Sequence, residues 1–219
     1  MDDARLRPTF FLDYEHPAVA AFVRRSVGGA GGELDRAARL FRAVRDGIRY
    51  DPYSIDPSPA AFTASATLAR GAAFCIPKAI LLAASLRSVG IPAQLGFCDV
   101  TNHLVTPRLR AIMRTDVFAF HGYVVAHLGG RQVKATPAFD AALCARFGVP
   151  PLELDGEHDA VLQAFDGEGR EFMTYLDDRG VFDDFPHAEF LRVWRETYPH
   201  LASGMAPGGD FAAEAARKG

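Results

Sequence analysis

Apolar residues recur at helical spacing through the first half of the chain and as alternating or continuous runs through much of the second. Leu34, Ala37, Ala38, Phe41, Val44 and Ile48 share one face of a helix predicted over residues 33–48. The glycines of residues 28–32 separate it from a shorter helical pattern at 18–27, and a further short helix is expected near 60–70. Residues 75–89 have a different pattern. Ile80, Leu81, Leu82, Ala83, Ala84, Leu86 and Val89 leave few polar positions on any side, which predicts a helix buried over most of its surface. Pro77 is tolerated in its first turn, where the missing N–H costs nothing, and Gly90 before Ile91-Pro92 ends it.

Beyond Gly90 the pattern changes. Residues 92–100 read as a strand, and residues 118–128 and 131–138 as a hairpin closed by Gly129-Gly130. Between them, residues 101–118 read as a loop carrying a short helix at 108–113. A helix at 141–147 and the pair Pro150-Pro151 lead into an acidic, turn-rich stretch. That stretch ends in an amphipathic helix through Phe190, Leu191, Trp194 and Tyr198. The small and polar residues from about 203 to 219 are expected to fray. Helices first and antiparallel strands afterwards predict an α+β fold rather than a doubly wound parallel sheet. The expected organisation is one domain over residues 1–219, with its core at about 33–140 and the flanking segments packed on it.

Composition narrows the setting. A hydrophobic fraction of 49% and a charged fraction of 23% are ordinary for a globular chain of 219 residues. A net charge of −3 with pI ≈ 6.2 gives no electrostatic case for a nucleic-acid or membrane partner. Met1-Asp2-Asp3-Ala4-Arg5 does not have the basic start of a signal peptide, and no apolar run approaches the roughly 20 residues that span a bilayer. Three cysteines make no disulfide framework and favour free thiols, so a cytoplasmic location is expected. No cofactor is implied, and oligomeric state is not legible.

Cys75, at the start of the apolar helix, is the candidate nucleophile. The unpaired N–H groups and dipole of a helix N-terminus favour the thiolate, so its pKa is expected to be lowered and its alkylation to outrun that of Cys98 and Cys144. His121, on the strand 121–128, is the candidate base, and Asp140, after the second hairpin strand, is the carboxylate expected to orient it. The main-chain N–H of Cys75 is a candidate oxyanion donor. Asn102, His103 and Tyr123 are candidate substrate contacts. A wall of Phe118, Phe120, Tyr123 and Phe139 would suit an apolar or acyl group. Cys98 and Cys144 read as core residues, and His127 as a hairpin-end residue. Cys75, Cys98, His103, His121 and His127 lack the short ligand spacings of structural zinc sites, so no metal is expected. Asp177-Asp178 and Asp183-Asp184 do not have the alternation of a calcium loop.

The run Phe74-Cys75-Ile76-Pro77-Lys78-Ala79-Ile80-Leu81, continuing through Leu86-Arg87-Ser88-Val89-Gly90-Ile91-Pro92-Ala93, resembles the nucleophile segment of transglutaminase-like proteins. His121 to Asp140 resembles the histidine strand and following aspartate strand of the same superfamily. The resemblance covers about residues 65–140. It implies a papain-like Cys–His–Asp core, with the nucleophile helix packed on an antiparallel sheet. The activities it implies are thioester formation at Cys75 followed by hydrolysis (peptidase or amidase) or transfer to an amine, on a peptide, amide or acyl substrate, proteins included. The family also contains inactive members, so a non-catalytic peptide- or protein-binding module is the alternative. The chain departs from the family pattern at Thr136-Pro137, where an Asp-Pro-Thr is usual. Strict alignment puts Thr136 at the third position, Asp140 is preferred because only a carboxylate stabilises an imidazolium, and Asp116 is a weaker rival.

Overall fold

A computed structural model describes residues 3–53, 55–102, 105–163, 173–204 and 208–215. Helices α1 (Pro17–Val27) and α2 (Glu33–Gly47) precede a two-residue strand β1 (Arg49–Tyr50). Helix α3 (Ala64–Arg70) and strand β2 (Ala72–Ala73) lead into α4 (Cys75–Ser88). Strand β3 (Ala93–Asn102), helix α5 (Pro107–Met113) and strands β4 (Val117–Leu128) and β5 (Arg131–Ala135) follow. The chain continues through α6 (Ala141–Phe147), β6 (Met173–Phe182), α7 (His187–Thr197) and α8 (Phe211–Ala215). The main sheet is antiparallel in the order β5-β4-β3-β6, and β1 and β2 form a separate parallel pair. The architecture is α+β.

Helix α4 lies at the centre. Every residue from Cys75 to Arg87 is buried, as expected of a helix that is apolar all round. Lys78 is fully buried three positions after Cys75, and its ammonium nitrogen donates to the carbonyls of Arg45 (2.8 Å) and Ile48 (2.5 Å). Those carbonyls end α2, where helical partners run out, so Lys78 joins the end of α2 to the first turn of α4. At the other end of α4, Arg87 donates to the carbonyls of Ala93, Arg7 and Asp183, which fixes the turn into β3. Within β3–β4, Gly96 pairs with Tyr123, and the tyrosine ring lies over the glycine: a Cβ at residue 96 would meet the ring at 2.1 Å.

Two expectations are corrected. The stretch before α7, read as turn-rich, contains the ten-residue strand β6, which pairs with β3 along the sheet edge. An edge strand has one bonded side and largely exposed side chains, so Asp177 and Asp178 sit on it in water and hide the apolar alternation. The end of the chain, expected to fray, contains α8. Phe211 is buried against Tyr50, Tyr53 and Phe147, and the Glu214 carboxylate accepts from the hydroxyls of Tyr53 and Thr106. Ala215 is buried too, and the Ala212 carbonyl accepts from Arg146, but a helix of five residues is too short to set a periodic pattern. Among the described residues no helix is long and apolar enough to cross a membrane.

Candidate active site

The parallel pairing of Arg49 with Ala72 and of Tyr50 with Ala73 brings β1 beside the entry to α4. Phe74 is extended (φ −84°, ψ −173°) and supplies no side-chain cap, and the helix starts at Cys75. On the other side β4 comes up against the first turn of α4 because residue 122 is glycine: a Cβ there would stand 3.1 Å from the Ile76 Cα. The main-chain N–H groups of Gly122, Ile76 and Cys75 itself therefore approach the Cys75 sulfur.

His121 precedes Gly122 and follows a bulge in the ladder. Cys98 pairs with His121 and Val100 with Phe118, so Asp99 alone faces both Ala119 and Phe120. Phe120 has φ 63°, a left-handed conformation costing about 1–2 kcal/mol for a residue with a Cβ. Side chains take over the bonding that the ladder loses. The Asp99 carboxylate accepts from the Phe120 N–H (2.9 Å) and is held by both arms of the Arg179 guanidinium (2.5 and 2.6 Å). The Tyr198 hydroxyl accepts from the Ala119 N–H (2.8 Å) and donates to the Val117 carbonyl (2.9 Å). The Phe120 ring stacks on Phe97 at 4.5 Å.

Cys75 and His121 line one cavity of about 40 Å³. Burial acts on both in the direction of neutrality. It pushes the Cys75 thiol up to about 11, against the opposing pull of the three N–H groups, and it pulls the His121 imidazole down to about 4. The expected lowering of the thiol pKa is thus reversed. Removing a thiolate from water outweighs the field of the helix terminus, and Cys98 (about 12) and Cys144 (about 11) are raised by burial as well. Both shifts favour the thiol and the uncharged imidazole over the charged pair. Within the described residues the His121 Nε2 is buried without a hydrogen-bond partner.

The acid sensitivity of the fold follows from the imidazole. The unfolded chain takes up a proton at residue 121 near pH 6.5, whereas the folded chain takes it up only near pH 4, so stability falls as pH drops through that window. The loss is about 3 kcal/mol. Urea titrations at pH 7 and pH 4 are expected to show it in the native protein, and in His121→Gln the portion due to this residue should be missing.

The remaining predicted residues lie elsewhere or act differently. Asp140 is the N-cap of α6: its carboxylate accepts from the Leu143 N–H (2.8 Å) and the Tyr50 N–H (3.4 Å), and its charge acts on Lys78. Among the described residues it makes no hydrogen bond to His121, because the chain turns into α6 at that point and uses the carboxylate as a cap. Thr136 shares a smaller cavity with His121, but its hydroxyl donates to the Gly122 carbonyl at 3.0 Å. Asp116 is exposed. Tyr123 is turned away over Gly96, under the Lys134 ammonium at 5.3 Å from the ring centre, and does not line the Cys75 cavity. Asn102 is buried at the end of β3, its N–H on the Asp116 carbonyl, and it also lies outside that cavity. His103 lies outside the described residues. Phe118 and Phe120 do wall the cavity, whereas Phe139 borders the smaller one.

Sequence reasoning missed Tyr50, Gly122, the Asp99–Arg179 pair and Lys78. Only Lys78 had a local signal, being a lysine in a helix otherwise apolar on every side.

Residues 20–133, just over half of the chain, match the family model of the transglutaminase-like superfamily. The match includes Cys75 and His121 and stops short of Thr136 and Asp140. No curated protein matches the chain. A solved structure described as a "Putative Cysteine Protease" from Cytophaga hutchinsonii is similar at 14% identity and a TM-score of 0.47, over 81% of this chain and 52% of that one. The chain thus spans about half the length of that neighbour. The chain belongs to the transglutaminase-like superfamily.

Proposed function

We propose that the protein is a cysteine hydrolase or acyltransferase in which Cys75 carries the acyl group as a thioester. The observation that supports this reading is the opening of Cys75 and His121 onto one cavity, with a helix N-terminus behind the sulfur. The uncharged imidazole accepts the thiol proton as the sulfur attacks the carbonyl, so charge arises only during reaction. The N-terminal field of α4 meets the negative charge developing on the carbonyl oxygen. His121 then returns the proton to the leaving group, and water or an amine resolves the thioester. In this scheme packing and the bulge hold the imidazole in place of a carboxylate, and Thr136 steadies the strand through Gly122.

The rival reading is a binding module with no turnover. It draws on one observation: Asp140 caps a helix instead of contacting His121.

Incubation with p-nitrophenyl acetate separates the two. An enzyme releases a burst of p-nitrophenol and carries an acetyl group on Cys75 by peptide mapping, absent from Cys98 and Cys144 and from Cys75→Ala. Adding n-butylamine during turnover partitions hydrolysis from transfer. A folded protein that never acylates Cys75 would leave the binding module as the better account.

A further inference from the structure

We infer that the acyl group taken by Cys75 is an uncharged aromatic or bulky aliphatic one; this rests on the proposed role of Cys75 as nucleophile. The cavity beside the thiol is walled by Leu109, Met113, Phe118, Phe120, Phe190 and Trp194, and none of its described lining residues is Asp, Glu, Lys or Arg. Two of its polar wall groups are engaged already. The Tyr198 hydroxyl is bonded to the main chain of residues 117 and 119, and the Trp194 indole N–H donates to the Leu201 carbonyl at 2.7 Å. A carboxylate or ammonium entering this space would lose its hydration with no opposite charge to meet, whereas an apolar group gains by leaving water.

The wall is also built from two directions. Helix α5 contributes Leu109 and Met113, and α7 contributes Phe190 and Trp194; α7 lies wholly outside the residues that match the family model. Met113 is buried, and its unbranched side chain can shape itself to rings of different outline. The part of the apolar wall made by Phe190 and Trp194 therefore lies outside the family-matched segment.

In the acylation step the S–C bond forms as the ester C–O bond breaks, and the thiol proton passes through His121 to the departing p-nitrophenol. The test compares three p-nitrophenyl esters: acetate, phenylacetate and (4-carboxyphenyl)acetate. Each rate of Cys75 acylation is normalised to the same ester's rate with mercaptoethanol. Phenylacetate is expected to exceed both others by at least about tenfold, since one or two methylenes in an apolar pocket already give that discrimination. Met113→Asp is expected to bring the phenylacetate-to-acetate ratio to about one, and the isosteric Met113→Gln to lower it by a smaller factor should the aspartate variant fail to fold.

Equal normalised rates for the three esters, or a preference for the carboxylated one, would overturn the inference while leaving Cys75 as nucleophile. No acylation of Cys75 by any ester would overturn the nucleophile itself, and the inference with it.

Discussion

Exchanging His121 for glutamine is expected to slow acylation of Cys75 by roughly 10³–10⁴-fold at pH 7. The thiol sits at about 11, so without a base only about one molecule in 10⁴ has a thiolate at neutral pH. The variant must react through that fraction. Its rate should climb about tenfold for each pH step of one, with no levelling between pH 6 and pH 9. The native protein behaves differently, because an imidazole held at about 4 is already unprotonated throughout that range. Its profile should rise near pH 4 and then stay flat. The shape of the two profiles decides the matter more securely than the size of the loss, since a merely loosened site would slow the reaction without changing its pH dependence. A flat profile in His121→Gln would remove His121 from the mechanism.

The largest loss of stability is expected from Gly96→Val. The tyrosine opposite is fully buried, and the added Cβ alone would lie 2.1 Å from Cε2 and 2.2 Å from Cζ of its ring. Either the ring or the central strand pair has to move, and overpacking of this kind costs about 3 kcal/mol. For a chain of 219 residues that corresponds to a fall of roughly 6–12 °C in thermal midpoint. Calorimetry of the single variant checks the fall. In a Tyr123→Ala background the same substitution should cost nothing further, which isolates the ring as the obstacle.

Elements with a long, self-consistent pattern were legible from the sequence. The apolar helix beginning at Cys75, the face of α2 and the Gly129-Gly130 hairpin all carry many residues that agree with one another. Strand β6 was not legible, because an exposed edge strand with two adjacent aspartates satisfies no buried pattern. Nor was the third site position. Thr136 and Asp140 are four residues apart, and only the turn into α6 reveals that the aspartate is used as a cap. The direction of the thiol shift also escaped the sequence. A helix start can be read locally, but burial depends on groups such as Tyr50 and α7, which line the same cavity from distant parts of the chain. The bulge before His121 depends likewise on partners 21, 79 and 80 positions away.

Those distant partners bear on where the working unit ends. Residues 20–133 contain both side chains proposed to react, yet Arg179 and Tyr198 hold the bend that precedes the imidazole, and both lie beyond that span. The family-matched segment is thus an incomplete machine. Substitutions at Arg179 or Tyr198 would retune the placement of His121 without changing Cys75 or His121 itself.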